Sequence, residues 1–156
     1  MTTTLSPAPQ WELHPQLAAD TVPVGDLPLS RLLVNRDANY PWLVVVPRRA
    51  GITEIIDLDA TDRRQLLDEI ELVGQVLRAV TGCDKLNIAA IGNVVSQLHV
   101  HIVARRRTDA SWPRPVWGAV PARAYEPAEL DHFVDDLKFL PRCSKLMQEL
   151  QIEKRP

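Results

Sequence analysis

The chain has 156 residues, 46% of them hydrophobic and 24% charged, with a formal net charge of −2. That length suits one domain with its own core and is short for two. Basic residues are scattered in short runs, Arg48-Arg49 and Arg105-Arg106-Arg107 among them, so the overall field argues against nucleic acid as a partner, and an anionic ligand needs a local site.

Met1 to Gln10 is rich in Thr and Pro, and residues 1–10 are expected to form a disordered tail ahead of a single domain over 11–156. The tail lacks the apolar core of a signal peptide, and no run approaches the length of a membrane span, so a cytosolic protein without membrane contact is expected. Cys83 and Cys143 lie far apart and form no CxxC, which favours reduced thiols over a disulfide or zinc framework.

Trp11 to Pro28 is interrupted by Pro15, Pro23 and Pro28, which predicts short extended pieces and at most an edge strand. Ser30 to Asn35 and Trp42 to Val46 are apolar or β-branched runs joined by the polar segment Arg36 to Pro41, and read as an antiparallel hairpin. Thr61 to Val80 places Leu66, Ile70, Val73, Leu77 and Val80 on one helical face. Thr61 is the expected N-cap and Gly82 the left-handed stop. This helix should cover one face of the sheet.

Lys85 to Ile91 reads as the next strand, and Gly92-Asn93 as a turn before a strand that runs from Val94 through the histidines. Thr108 to Pro121 holds Trp112, Trp117 and three prolines, and reads as a rigid loop packed through its rings. Pro127 opens a helix with Leu130, Phe133, Val134, Leu137 and Leu140 on one face; Pro141 ends it before a short helix around Lys145 to Gln151.

The run Gln97-Leu98-His99-Val100-His101-Ile102 alternates polar and apolar. On a strand this points Leu98, Val100 and Ile102 into the core and sets His99 and His101 on the other face, roughly 6.5 to 7 Å apart, close enough for both to touch one phosphate-sized group. Other readings of the pair are two packed core histidines, or two zinc ligands. The zinc reading needs a third ligand from His14, His132, Cys83 or a carboxylate, none at a diagnostic spacing; His14 and His132 read as surface or boundary residues. Arg105 to Arg107 reads as a solvated charged face more readily than a phosphate clamp.

Gln97 to Arg105 resembles the histidine-triad (HIT) motif, His-φ-His-φ-His-φ-φ followed by Pro-Arg, with Gln97 standing in the place of the first histidine. Leu33-Val34-Asn35-Arg36, the hairpin into Val44 to Pro47 and the helix that follows are similar to the nucleotide-pocket half of the fragile-histidine-triad branch. The resemblance covers about residues 29–105. Trp112 to Gly118 is similar to the tail of a bacterial HIT-like subgroup with the same Gln-for-His change.

The resemblance implies an α+β HIT-like fold: an antiparallel sheet of about five strands, a long helix packed on it and C-terminal helices over 127–151. It implies a homodimer that binds a nucleoside phosphate and hydrolyses or transfers at the α-phosphorus, with no cofactor or metal. His99 would be the nucleophile, forming a nucleotidyl-histidine. His101 would stabilise charge or donate a proton, and Gln97 could donate through its amide but cannot titrate. An imidazole of ordinary pKa, about 6.5, is mostly neutral and nucleophilic at pH 7. Asn35 would bond the ribose hydroxyls, Asn93 would lie near the α-phosphate, Gly92 would let backbone N–H groups approach an anion, and Asn87 is a further candidate. A non-catalytic nucleotide-binding or sensing module is the alternative that Gln97 suggests, and a metal-dependent hydrolase is a third.

Overall fold

The structure, a computed structural model, describes residues 10–140. Residues 1–9 of the tail expected over 1–10, Cys143 and the helix around Lys145 to Gln151 lie outside the described residues. In chain order the elements are α1 (Pro15–Asp20), β1 (Thr21–Asp26), β2 (Ser30–Asn35), β3 (Trp42–Pro47), a 3-10 turn (Ile55–Asp57), α2 (Ala60–Thr81), β4 (Lys85–Ala89), β5 (Val100–Arg105) and α3 (Pro127–Leu137). The five strands form one antiparallel sheet in the order β1-β2-β3-β5-β4.

Each strand in the centre of the sheet alternates between two buried faces. Leu32, Val34, Leu43, Val45, Leu98, Val100, Ile102 and Ala104 meet α2 and α3 through Leu66, Val73, Leu77, Val134 and Leu137. Burial on both faces explains why β3 reads as a continuous apolar run, Trp42 to Val46, where a half-exposed strand would alternate. Leu33, Val44, Val46 and Val103 face the other way and pack with Leu17, Tyr40, Trp42, Val95 and Val116. Among the described residues no long helix covers this second face. A short helix, loops and aromatic rings do, and between them they leave a cleft.

The expected hairpin is present, with Leu33 opposite Val44 and Val34 opposite Leu43. Helix α2 ends as its sequence predicts, on Gly82 at φ 59°, whose N–H bonds Arg78 O. Its start differs: the N-cap is Asp59, which accepts from Asp62 N, and Thr61 already lies inside the helix. A carboxylate at the cap also complements the positive end of the helix dipole, so Asp59 displaces the hydroxyl two residues on.

Three further expectations are corrected. The segment 11–28 forms an edge strand, but ahead of it Pro15–Asp20 is helical. Proline is compatible with a first helical turn, where its missing N–H has no partner to lose; His14 Nδ1 accepts from Gln16 N and caps the turn. Strand β4 stops at Ala89, two residues early. Pairing of β5 begins at Val100, so Gln97, Leu98 and His99 precede the ladder.

Arg105 is 1% exposed, contrary to the solvated face expected of it. Its guanidinium forms a two-bond ion pair with Asp109, at 2.7 and 3.0 Å. It also donates to Asn87 Oδ1 at 2.7 Å and to Arg114 O at 2.9 Å, and lies over the rings of Tyr40 and Trp112. The planar fork of arginine can serve several acceptors at once and stack on rings. The buried cation thereby ties the Trp/Pro-rich loop to the end of β5.

Candidate active site

A cleft of about 420 Å³ opens over the second face of the sheet, within the range of small-molecule sites. Its floor is Trp42, Val44, His99 and His101; one wall is Gln16, Leu17, Asp20, Thr21 and Asn35; the other is residues 91–95; Trp117 closes one side. A second, more open lobe of about 590 Å³ shares Asp20, Asn35, Trp42 and Trp117 with it.

The two imidazoles are 7% and 8% exposed, with ring centroids 4.8 Å apart and planes crossed at 76°. They are closer than the strand repeat alone sets, because His99 sits before the regular ladder and its ring turns back to its own chain. His99 Nδ1 lies 2.7 Å from Gln97 O. A carbonyl only accepts, so Nδ1 carries the proton, and in the neutral ring Nε2 holds the lone pair.

His101 has the opposite tautomer. Trp42 Nε1 donates to His101 Nδ1 at 3.0 Å, and an indole N–H can only donate, so in the neutral ring the proton of His101 sits on Nε2. Its pKa is lowered to about 4, by burial first and by the neighbouring His99 second. The cleft therefore presents one imidazole lone pair beside one neutral N–H donor. Trp117 packs edge-on against both Trp42 and His101, at centroid distances of 5.7 and 5.4 Å.

Among the other residues expected at the site, Asn35, Gly92 and Asn93 line the cleft. Asn35 Oδ1 accepts from Asp37 N at 2.8 Å and so also holds the turn after β2. Gly92 has φ 69°, a conformation that favours glycine. Asn87 shares the sheet face of the histidines but does not line the cleft; its Oδ1 is taken by Arg105. Gln97 does not line the cleft either. Its Nε2 donates to Glu12 O at 2.8 Å and its Oε1 accepts from His14 N at 2.9 Å.

Trp42, Gln16 and Asp20 are site residues that sequence reasoning missed. For Trp42 a signal existed: an indole heads the apolar strand that pairs beside the histidine strand, at the register Trp42 opposite Val103 and Val44 opposite His101. Among the described residues no three His, Cys, Asp or Glu side chains gather as a metal-binding group, and no helix is long and apolar enough to cross a membrane.

This architecture, an antiparallel sheet with α2 on one face and paired histidines at a cleft on the other, defines a small α+β protein with an imidazole-centred site. The model of the HIT domain family matches residues 16–108. A solved histidine triad protein from Bradyrhizobium japonicum is 54% identical, with a TM-score of 0.83, over 85% of this chain and 99% of that one. A histidine triad (HIT) protein from Sinorhizobium meliloti is 40% identical, with a TM-score of 0.80, over 81% of this chain and 94% of that one. A histidine triad protein from Marinobacter aquaeolei is 36% identical, with a TM-score of 0.83, over 86% of this chain and 98% of that one. The chain belongs to the HIT domain family. No curated protein matches it.

Proposed function

We propose that the chain is a nucleotide-binding hydrolase or nucleotidyl transferase that acts at the α-phosphorus of a nucleoside phosphate derivative, of the diadenosine polyphosphate or phosphoramidate type, through a nucleotidyl-histidine on His99. The observation that carries the reading is the pair of opposite tautomers: a lone pair on His99 Nε2 beside an N–H on His101 Nε2.

In the first step His99 Nε2 forms a bond to the α-phosphorus as the bond from phosphorus to the leaving group breaks, and the leaving group takes that electron pair. The imidazole becomes a cation, and the bond from its Nδ1–H to Gln97 O strengthens as charge develops. His101 donates from Nε2 to a phosphoryl oxygen, where charge builds up in transfer. Water then attacks phosphorus, the P–N bond breaks with its electrons returning to His99, and a proton is released. Asn35 would hold the ribose; Asn93 and the backbone at Gly92 would meet the phosphate.

A homodimer and a cytoplasmic setting belong to the same proposal. Among the described residues no strand pairs the outer edge of β4, and Ile88, Ile91 and Val94 on and after it are 50%, 42% and 93% exposed, a surface that a second copy would cover. The alternative, a nucleotide-binding module without turnover, is favoured by one observation, the engagement of the Gln97 amide away from the cleft.

Intact-protein mass spectrometry after brief mixing with adenylated and guanylated substrates, quenched without acid, tests the enzyme. The expected result is a nucleotidyl adduct that maps to His99 and disappears in His99→Ala. Full activity of His99→Ala would sink the proposal, while ligand-induced thermal stabilisation without adduct or single-turnover product would establish the binding module.

A further inference from the structure

Gln97 occupies the first position of the motif, yet both ends of its carboxamide are bonded to the N-terminal segment, to Glu12 O at 2.8 Å and His14 N at 2.9 Å. A side-chain amide carries a donor and an acceptor on one carbon. Here it takes the carbonyl before Leu13 and the N–H after it, as the N–H and C=O of one residue on a neighbouring parallel strand would. An imidazole has its two nitrogens on diverging sides of a ring and could satisfy one of these partners, not both.

The residue so held matters to the cleft. His14 is the N-cap of α1: its Nδ1 accepts from Gln16 N and its O accepts from Ala18 N. Helix α1 has six residues, too few to persist without support. It and the residue after it supply Gln16, Leu17, Asp20 and Thr21 to the cleft wall. Leu17 is 6% exposed in the core beneath, and Arg31 covers Trp11 at 5.1 Å, so packing holds the segment down while Gln97 sets where the helix begins.

We infer that Gln97 is a positioning residue that latches the N-terminal segment to the base of the histidine strand, fixing the α1 wall of the cleft, and that it does not touch the reacting phosphate. The substrate is thus held by a wall keyed to the strand that carries the nucleophile, and only His99 and His101 of the motif meet the reacting group. The kinetic arm of the test rests on the functional reading above; the exchange arm does not.

The experiment compares wild type with Gln97→Ala and Gln97→His by amide hydrogen exchange and by steady-state kinetics on a diadenosine polyphosphate. Loss of the latch should speed exchange at the His14 amide about tenfold or more in Gln97→Ala, and by less in Gln97→His if its ring keeps that one bond, with Val44 and Val45 in the sheet centre unchanged. KM should rise about tenfold in Gln97→Ala, as expected for two lost hydrogen bonds, and by less in Gln97→His, with kcat within about threefold in both. Unaltered His14 exchange in Gln97→Ala would overturn the inference, as would a fall in kcat at constant KM or a gain of rate in Gln97→His. Absence of turnover in wild type with faster His14 exchange in Gln97→Ala would leave the latch standing and sink the enzyme reading alone.

Discussion

Trp42 and His101 are joined across adjacent strands by an indole N–H that donates to Nδ1 at 3.0 Å. Protonating that nitrogen would turn the contact into two donors facing each other, so the bond favours neutral His101, and burial of the ring favours it separately by desolvation.

Trp42→Phe removes the donor while keeping a ring in the apolar floor. His101 Nδ1 then loses its partner, the Nε2–H tautomer is no longer enforced, and the pKa of His101 rises. The expected loss is about tenfold in kcat/KM, with about 1–3 kcal/mol of stability from the buried acceptor left unpaired. Imidazole nitrogen NMR shifts report the tautomer, and retention of the wild-type tautomer in Trp42→Phe would refute the assignment.

The depressed pKa of His101 makes stability depend on pH with a definite sign. As pH falls below about 6.5 the unfolded chain takes up a proton on this imidazole, whereas the folded chain does so only near 4. The unfolded state binds more protons in that window, so the contribution of neutral His101 is fully present above about 6.5 and is lost as pH falls toward 4. The loss is at most about 3 kcal/mol. Denaturant unfolding at pH 7 and pH 5 should show it, and His101→Gln should flatten the slope.

Arg105→Met leaves Asp109 and Asn87 without their buried cation. Burial alone would raise the Asp109 carboxyl; the Arg105 guanidinium and the amides of Ser111 and Arg106 hold it below the usual range. Breaking such a buried pair from one side costs about 3–5 kcal/mol. Because Arg105 also bonds Ser111 and Arg114, the loop that places Trp117 against His101 should loosen. Thermal unfolding measures the first effect, and faster exchange at amides 111–118 the second.

Much of the scaffold is written in local pattern. The spacing of Leu66, Val73 and Leu77 marks the buried face of α2, Gly82 marks its stop, and the turn residues between Asn35 and Trp42 mark the hairpin. The alternation around His99 correctly puts Leu98, Val100 and Ile102 on the core side. Less legible were the α1 helix, set by a histidine cap and packing beneath Leu17, and the fate of Arg105, where three adjacent arginines looked alike in sequence but only one pairs its guanidinium with Asp109.

By itself, then, the sequence determined the hydrophobic periodicity that builds an α+β sheet and the motif that puts two imidazoles on one face of it. Tertiary structure alone decided the state of those imidazoles and the company they keep. The partner of His101 is 59 residues away at Trp42, and the partners of Gln97 are 83 and 85 residues away at His14 and Glu12. Periodicity records which face of a strand is buried, since that repeats along the chain. A tautomer or a latch depends on one donor meeting one acceptor within about 3 Å, a distance set only when separate strands and loops are packed together.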